Sequence, residues 1–228
     1  MNVLRHLVGT VGARLRGRAD HAAIFGDIYR RRAWGDGETV SGPGSTRARG
    51  ADFSADLIEL LRALNTRTLL DAPCGDFNWV AEVADSAPRY VGVDVVPELI
   101  DANRARHGTD GRSFLHGDIA RDALPTADVI LCRDCLPHFS DRDVWATIRN
   151  FRRSGARYLL TTTFVGRALN RGIRTGAWRA LNLEAAPFRF PHPIALVDER
   201  CTHSGGIFRD KRLALWELSS LPSSPSGR

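Results

Sequence analysis

Lysine is nearly missing from this 228-residue chain: Lys211 is the only one, and the other 31 of the 32 basic residues are arginine. With alanine and glycine also abundant, this bias reads as a GC-rich coding sequence, so the net charge of +6 is discounted as a nucleic-acid footprint and leaves only a mild pull toward anionic partners. No apolar run is long enough to cross a membrane. Cysteine is also scarce. Cys74, Cys132, Cys135 and Cys201 make no dense disulfide framework, no secretory signal is expected ahead of them, and reduced thiols in a cytoplasmic protein are expected. Acids are absent from MNVLRHLVGTVGARLRGR at the start. There Val3, Leu4, Leu7, Val8, Val11 and Leu15 can share one helical face. A transit peptide or a membrane-surface helix would look similar, but a helix against the domain is expected. The tail LPSSPSGR is expected to be disordered.

What is present is alternation. After a helix over HAAIFGDIYRRRA with Asp20 as N-cap, WGDGETVSGPGSTRARG breaks every periodicity and reads as loop. FSADLIELLRALN returns to helical spacing. The strands RTLLD, RYVGVD, RSFLHGD, ADVILCRD and ARYLLTTTF then follow. The helices FNWVAEVAD, PELIDANRARHG and SDRDVWATIRNFRRSG lie among them. The last helix is expected to open with a capping box from Ser140 to Asp143. PIALVDE and RLALWEL form a final pair of strands. This order predicts an α/β, Rossmann-like, doubly wound and mainly parallel seven-stranded sheet. It has an antiparallel last strand and an N-terminal helical extension. Ligands of such sheets bind at the carboxyl ends of the strands.

The turn LLDAPCGDFNWV has the outline of a nucleotide loop but only one glycine, Gly75, with Phe77 where many such loops place another. A diphosphate needs several glycines so that backbone N–H groups can wrap it. A nucleoside carrying an amino acid has no such demand. Asp71, Asp94 and Asp118 fall at the same end of successive strands. Singly each reads as a cap or loop aspartate, and together they describe an adenine-nucleoside pocket.

With these residues in hand, the chain resembles the class I S-adenosylmethionine-dependent methyltransferases. LLDAPCGDF resembles the first motif, YVGVDVV the second, FLHGDI the third and ADVILCRDCLPHF the fourth, across about residues 51–163. WGDGETVSGPGST with DAPCGDFNW also resembles one bacterial subgroup. The resemblance implies a division into residues 1–50 (N-terminal helices and a glycine-rich lid), 51–220 (methyltransferase domain) and 221–228 (tail). It places Asp71 and Gly75 near the methionine part of the cofactor. Asp94 and the adjoining Val95 would hold the ribose, and Asp118 with Ile119 would line the adenine site. Arg133 would meet the cofactor carboxylate or the substrate, its plainer role being a surface ion pair.

SGPGS reads either as a connector or as a lid in which Trp34, Ser41 and Ser45 close over the cofactor. Trp34 or Trp79 can face a sulfonium through a cation–π contact. Cys132-x-x-Cys135 has the letters of a metal site, but Cys132 ends an apolar strand and no metal is expected. His138 follows the fourth strand, with Asp134 close enough in sequence to orient it, and is the candidate base; a loop histidine is the plainer reading. His192 and His203 are weaker candidates. Trp178, Phe188 and Phe190 are expected to line a substrate wall. The expected activity is methyl transfer to a small-molecule or sugar-like acceptor, at a hydroxyl. An RNA methyltransferase and a non-catalytic nucleoside-binding module are the alternatives.

Overall fold

The computed structural model describes residues 20–35 and 37–225. The helix expected over the first eighteen residues, and residues 226–228 of the tail, lie outside them. The first described element is helix α1 (His21–Arg30), whose N-cap Asp20 accepts from the Ala23 N–H at 3.0 Å. The segment expected to be all loop contains a short helix, α2 (Arg47–Ala51), capped by the Thr46 side chain. Helix α3 (Ser54–Ala63) then leads into the sheet.

The seven expected strands all form: β1 (Thr68–Asp71), β2 (Arg89–Asp94), β3 (Arg112–His116), β4 (Val129–Cys132), β5 (Tyr158–Phe164), β6 (Ala195–Asp198) and β7 (Lys211–Glu217). Their order is β3-β2-β1-β4-β5-β7-β6, and only β7 runs against its neighbours. Chain direction across the sheet reverses between β1 and β4. That gap is where open α/β sheets bind ligands.

Both sheet faces are buried, so the strands are nearly continuous apolar runs. The period of two sends alternate residues to opposite cores. Leu70, Ile130 and Leu159 join Trp145, Ile148 and Phe151 on one side. Leu69, Val129, Leu131 and Leu160 join Leu57, Leu61 and Val83 on the other. Each such leucine or isoleucine removed from water stabilises the fold by about 1.5–3 kcal/mol.

Helix α5 (Pro97–His107) starts on Pro97 and ends at Gly108, as its sequence predicts. Helix α6 (Asp141–Arg153) starts at Ser140, whose hydroxyl accepts from the Asp143 N–H. The return half of the capping box does not form. The Ser140 N–H donates to Thr175 instead, and the Asp143 carboxylate accepts from two hydroxyls, those of Ser140 and Thr175. Helix α4 is much shorter than FNWVAEVAD suggests, covering only Ala81–Ala84. The cause is Phe77, which sits at φ +59° and turns the chain out of helical geometry.

Candidate active site

The carboxyl ends of β1 to β4 open into one cleft. Asp71, Gly75, Asp94, Val95, Asp118, Ile119, Arg133, Asp134, His138, Trp34 and Ser41 all line it. Helix α1 adds His21, Phe25, Ile28 and Tyr29 as a further wall.

Asp94 ends β2 and is buried. Its two oxygens accept from Gly75 N–H and Val96 N–H, each at 3.0 Å. Burial raises its pKa. Each carboxylate oxygen can still accept a second donor, which suits a ribose. Asp71 is buried more deeply and receives the Tyr90 hydroxyl at 2.6 Å; burial pushes its pKa up to about 7.

Gly75 lies at φ +54°, and a Cβ there would stand 2.4 Å from Ser41 Oγ. Only glycine therefore lets the SGPGS segment seat on the turn. Asp76 fastens that segment. Its carboxylate accepts from Thr39 Oγ1 at 2.6 Å, Val40 N–H at 2.9 Å and Ser41 Oγ at 3.0 Å. Ser41 Oγ in turn accepts from Asp76 N–H at 3.1 Å. Ser45 lines the same cleft.

Phe77 occupies a backbone conformation that favours glycine, at a cost of roughly 1–2 kcal/mol. Its ring offsets that cost by packing edge-on against Tyr90 and Phe114, with centroids 5.2 and 5.3 Å away. The Arg112 guanidinium lies 5.0 Å from its centroid. The missing glycine is thus replaced by an aromatic anchor that keeps the same backbone turn.

Arg133 is no surface residue. It is buried, bonded to Glu199 through Nε at 3.0 Å and Nη2 at 2.6 Å. Its guanidinium lies 4.6 Å from the Trp79 ring centroid and 4.9 Å from that of Phe53. Trp79 therefore faces a cation, but it is Arg133. Nη1 of Arg133 is buried without a partner. An orphaned charged donor in the cleft fits an incoming carboxylate.

Asp134 does not orient His138. Its carboxylate is bonded to Lys211 Nζ at 2.6 Å and lies 3.6 Å from Arg133 Nη2. Burial would raise its pKa, but these two cations hold it well below the usual carboxylate range. What orients His138 is the later loop: Nδ1 lies 3.0 Å from the carbonyl oxygen of Ala177. A carbonyl only accepts, so Nδ1 carries the proton and Nε2 holds the lone pair. Burial lowers the His138 pKa despite the nearby Asp134 charge, which keeps the ring neutral. The Trp34 ring packs on it at 4.3 Å.

The Asp118 carboxylate, expected to line the adenine site, is already engaged. It accepts from Ala120 N–H at 2.9 Å and pairs with His21 Nδ1 at 3.0 Å and Arg121 at 3.1 Å.

The expected substrate wall fails. Phe188 and Phe190 are core residues packed around Trp145 and Trp216. Trp178 packs on Phe164 and Phe208. None of the three lines the cleft. His192 is exposed, pairs with Glu184 at 3.0 Å and also lies outside it. Cys132 is buried in the core. Sequence reading missed His21, Glu199 and Lys211.

Residues 69–156 match the family described as a methyltransferase domain. The fold is similar to that of human N-acetylserotonin methyltransferase, with a TM-score of 0.51 and 14% identity over 72% of this chain and 51% of that one. CalS10, an amino pentose methyltransferase from Micromonospora echinaspora, gives 0.42 and 22% over 47% and 48%. The methyltransferase domain of bacterial CtHen1-C gives 0.43 and 16% over 48% and 63%. The chain thus spans less than two thirds of each of these proteins. No curated protein matches it in sequence. The domain match supports a methyltransferase domain over residues 69–156, on a fold shared with a known methyltransferase. Among the described residues no helix is long and apolar enough to cross a membrane.

Proposed function

We propose that the protein transfers a methyl group from S-adenosylmethionine to a hydroxyl of a small-molecule or sugar-like acceptor. The observation that carries this reading is the state of His138: a neutral ring in the cleft, with Nδ1–H held by the Ala177 carbonyl and Nε2 able to accept a proton. A hydroxyl becomes an adequate nucleophile only as its proton leaves, and a histidine with a low pKa is suited to take it near neutral pH.

The cleft suits the cofactor on three counts. Asp94 presents a buried carboxylate for two ribose hydroxyls, with Val95 beside it. Gly75 lines the cleft and lets Ser41 seat beside it. Arg133 holds a buried, unpaired Nη1 for the methionine carboxylate. When bound, S-adenosylmethionine supplies an electrophilic methyl group on a sulfonium. The protein's own contribution is alignment and proton removal. Trp34 and the SGPGS segment, held by Asp76, close the cleft and exclude water. His138 takes the acceptor proton at Nε2, and the Ala177 carbonyl stabilises the imidazolium that results.

Incubation of the protein and methyl-labelled cofactor with fractionated metabolites, and separately with RNA, tests the reading. Label in a small alkali-stable product supports it. Label in RNA would move the activity to nucleic acid, and cofactor binding with no labelled product would leave a binding module.

A further inference from the structure

Helix α1 brings one cationic side chain into the cleft, and nothing in the sequence marks it. His21 is the first residue of the helix and is 1% exposed. Its Nδ1 hydrogen-bonds Asp118 Oδ1 at 3.0 Å, while its Nε2 lies 3.4 Å from Asp143 Oδ2 as an ion pair without hydrogen-bond geometry. Carboxylates only accept, and a neutral imidazole donates from one nitrogen alone. With a carboxylate beside each nitrogen, the imidazolium is the favoured form. A cation in the first turn opposes the helix dipole, so the two aspartates must outweigh that cost.

The surroundings are nearly fixed. Asp118 follows β3 and is also paired with Arg121. Asp143 lies in the first turn of α6 and accepts from the hydroxyls of Ser140 and Thr175. On α1 itself, the neighbouring acid Asp20 is engaged as the helix cap. The ring also packs on Phe139 at 4.8 Å. Phe25, one turn on, contacts Phe139 and Trp34, and Trp34 contacts His138. A shift of α1 would therefore change the wall of the nucleoside site and the packing around His138.

We propose that His21 is a positioning residue for the cofactor: by bridging Asp118 and Asp143 it latches α1 over the cleft and so sets nucleoside affinity. This rests on reading the cleft as the cofactor site. Loss of the ring proton leaves a lone pair facing Asp143 and only the Asp118 hydrogen bond to hold the helix. Burial lowers the ring's proton affinity, but the hydrogen bonds and charges of the two aspartates outweigh it and raise the pKa to about 9. The latch is therefore closed at neutral pH and weakens as pH rises through that value.

The test uses the full chain and calorimetric titration. S-Adenosylhomocysteine is titrated at pH 7.5 into the parent, His21→Ala and His21→Gln. 5′-Methylthioadenosine, which has no group titrating in that range, is titrated from pH 7.5 to 10 into the parent and His21→Ala. The latch predicts about tenfold weaker binding in His21→Ala, the size of one charged hydrogen bond, with partial recovery in His21→Gln, which still donates to one carboxylate. Methylthioadenosine affinity should fall across the pH series in the parent, by less than the His21→Ala loss, and stay level in His21→Ala. Equal affinity of parent and His21→Ala, or a parent series level to pH 10, overturns the proposal. If His21→Ala does not fold, the parent series alone decides. A parent that binds neither ligand overturns the cofactor reading and the latch with it.

Discussion

The Nδ1 of His138 lies 3.0 Å from the main-chain carbonyl of Ala177, so a loop far along the chain fixes which ring nitrogen is free. His138→Ala should lower turnover about 100-fold to 10,000-fold, the usual contribution of a positioned base. Affinity for S-adenosylhomocysteine should change little. Because the pKa is lowered, the parent rate should rise with pH below the ordinary histidine value and then level off. That rise should be missing in the variant. Parent-like turnover in His138→Ala would reduce the ring to loop packing.

Asp94→Ala should weaken binding of S-adenosylhomocysteine by about 1.5–3 kcal/mol, through the loss of charged hydrogen bonds. It should also lower the melting temperature, since Gly75 and Val96 lose their acceptor. Calorimetry with unchanged affinity would remove Asp94 from the cofactor site.

Asp76 ties residues 39–41 to the turn after β1 through three accepted hydrogen bonds. Amide exchange across residues 37–48 should slow when S-adenosylhomocysteine binds. Asp76→Ala should speed it in the free protein. Exchange indifferent to both would make the segment a plain connector.

Phe77→Gly should destabilise the protein by about 1–4 kcal/mol. Truncating a buried phenylalanine costs about 3–5 kcal/mol, and relief of the left-handed backbone returns only part of that, roughly 1–2 kcal/mol. Denaturant melts measure the difference. A stabilised variant would show that backbone strain, not packing, dominates at this turn.

His21 also sets a stability profile. Its folded pKa of about 9 stands above the ordinary 6.5. Its contribution is complete below pH 6.5, declines above that value and is gone once pH has risen through 9. Melting temperatures of the parent should fall across that window more than those of His21→Ala.

The strands were legible because a buried parallel strand is a short apolar run ending in a polar residue. Asp71, Asp94 and Asp118 stand at or just past such ends. The partners of those residues were not. His21 lies 97 positions from Asp118, Glu199 lies 66 from Arg133 and Lys211 lies 77 from Asp134. No local period records such distances. Asp134 was assigned to His138 because the two are close in the chain. Its φ of +53° and the pull of Lys211 send the carboxylate elsewhere. Phe188 and Phe190 misled for the opposite reason, since a long loop rich in aromatics reads as a binding wall even when its rings complete the core.

Lys211 is the chain's only lysine, and its ammonium is buried against Asp134 and Glu199. An amine-reactive dye therefore has no lysine side chain to reach while the protein is folded. Lysine-specific proteolysis is likewise confined to molecules in which this cluster has come apart. Labelling of Lys211 thus becomes a clock for opening at the end of β4, read from one peptide and without any engineered probe.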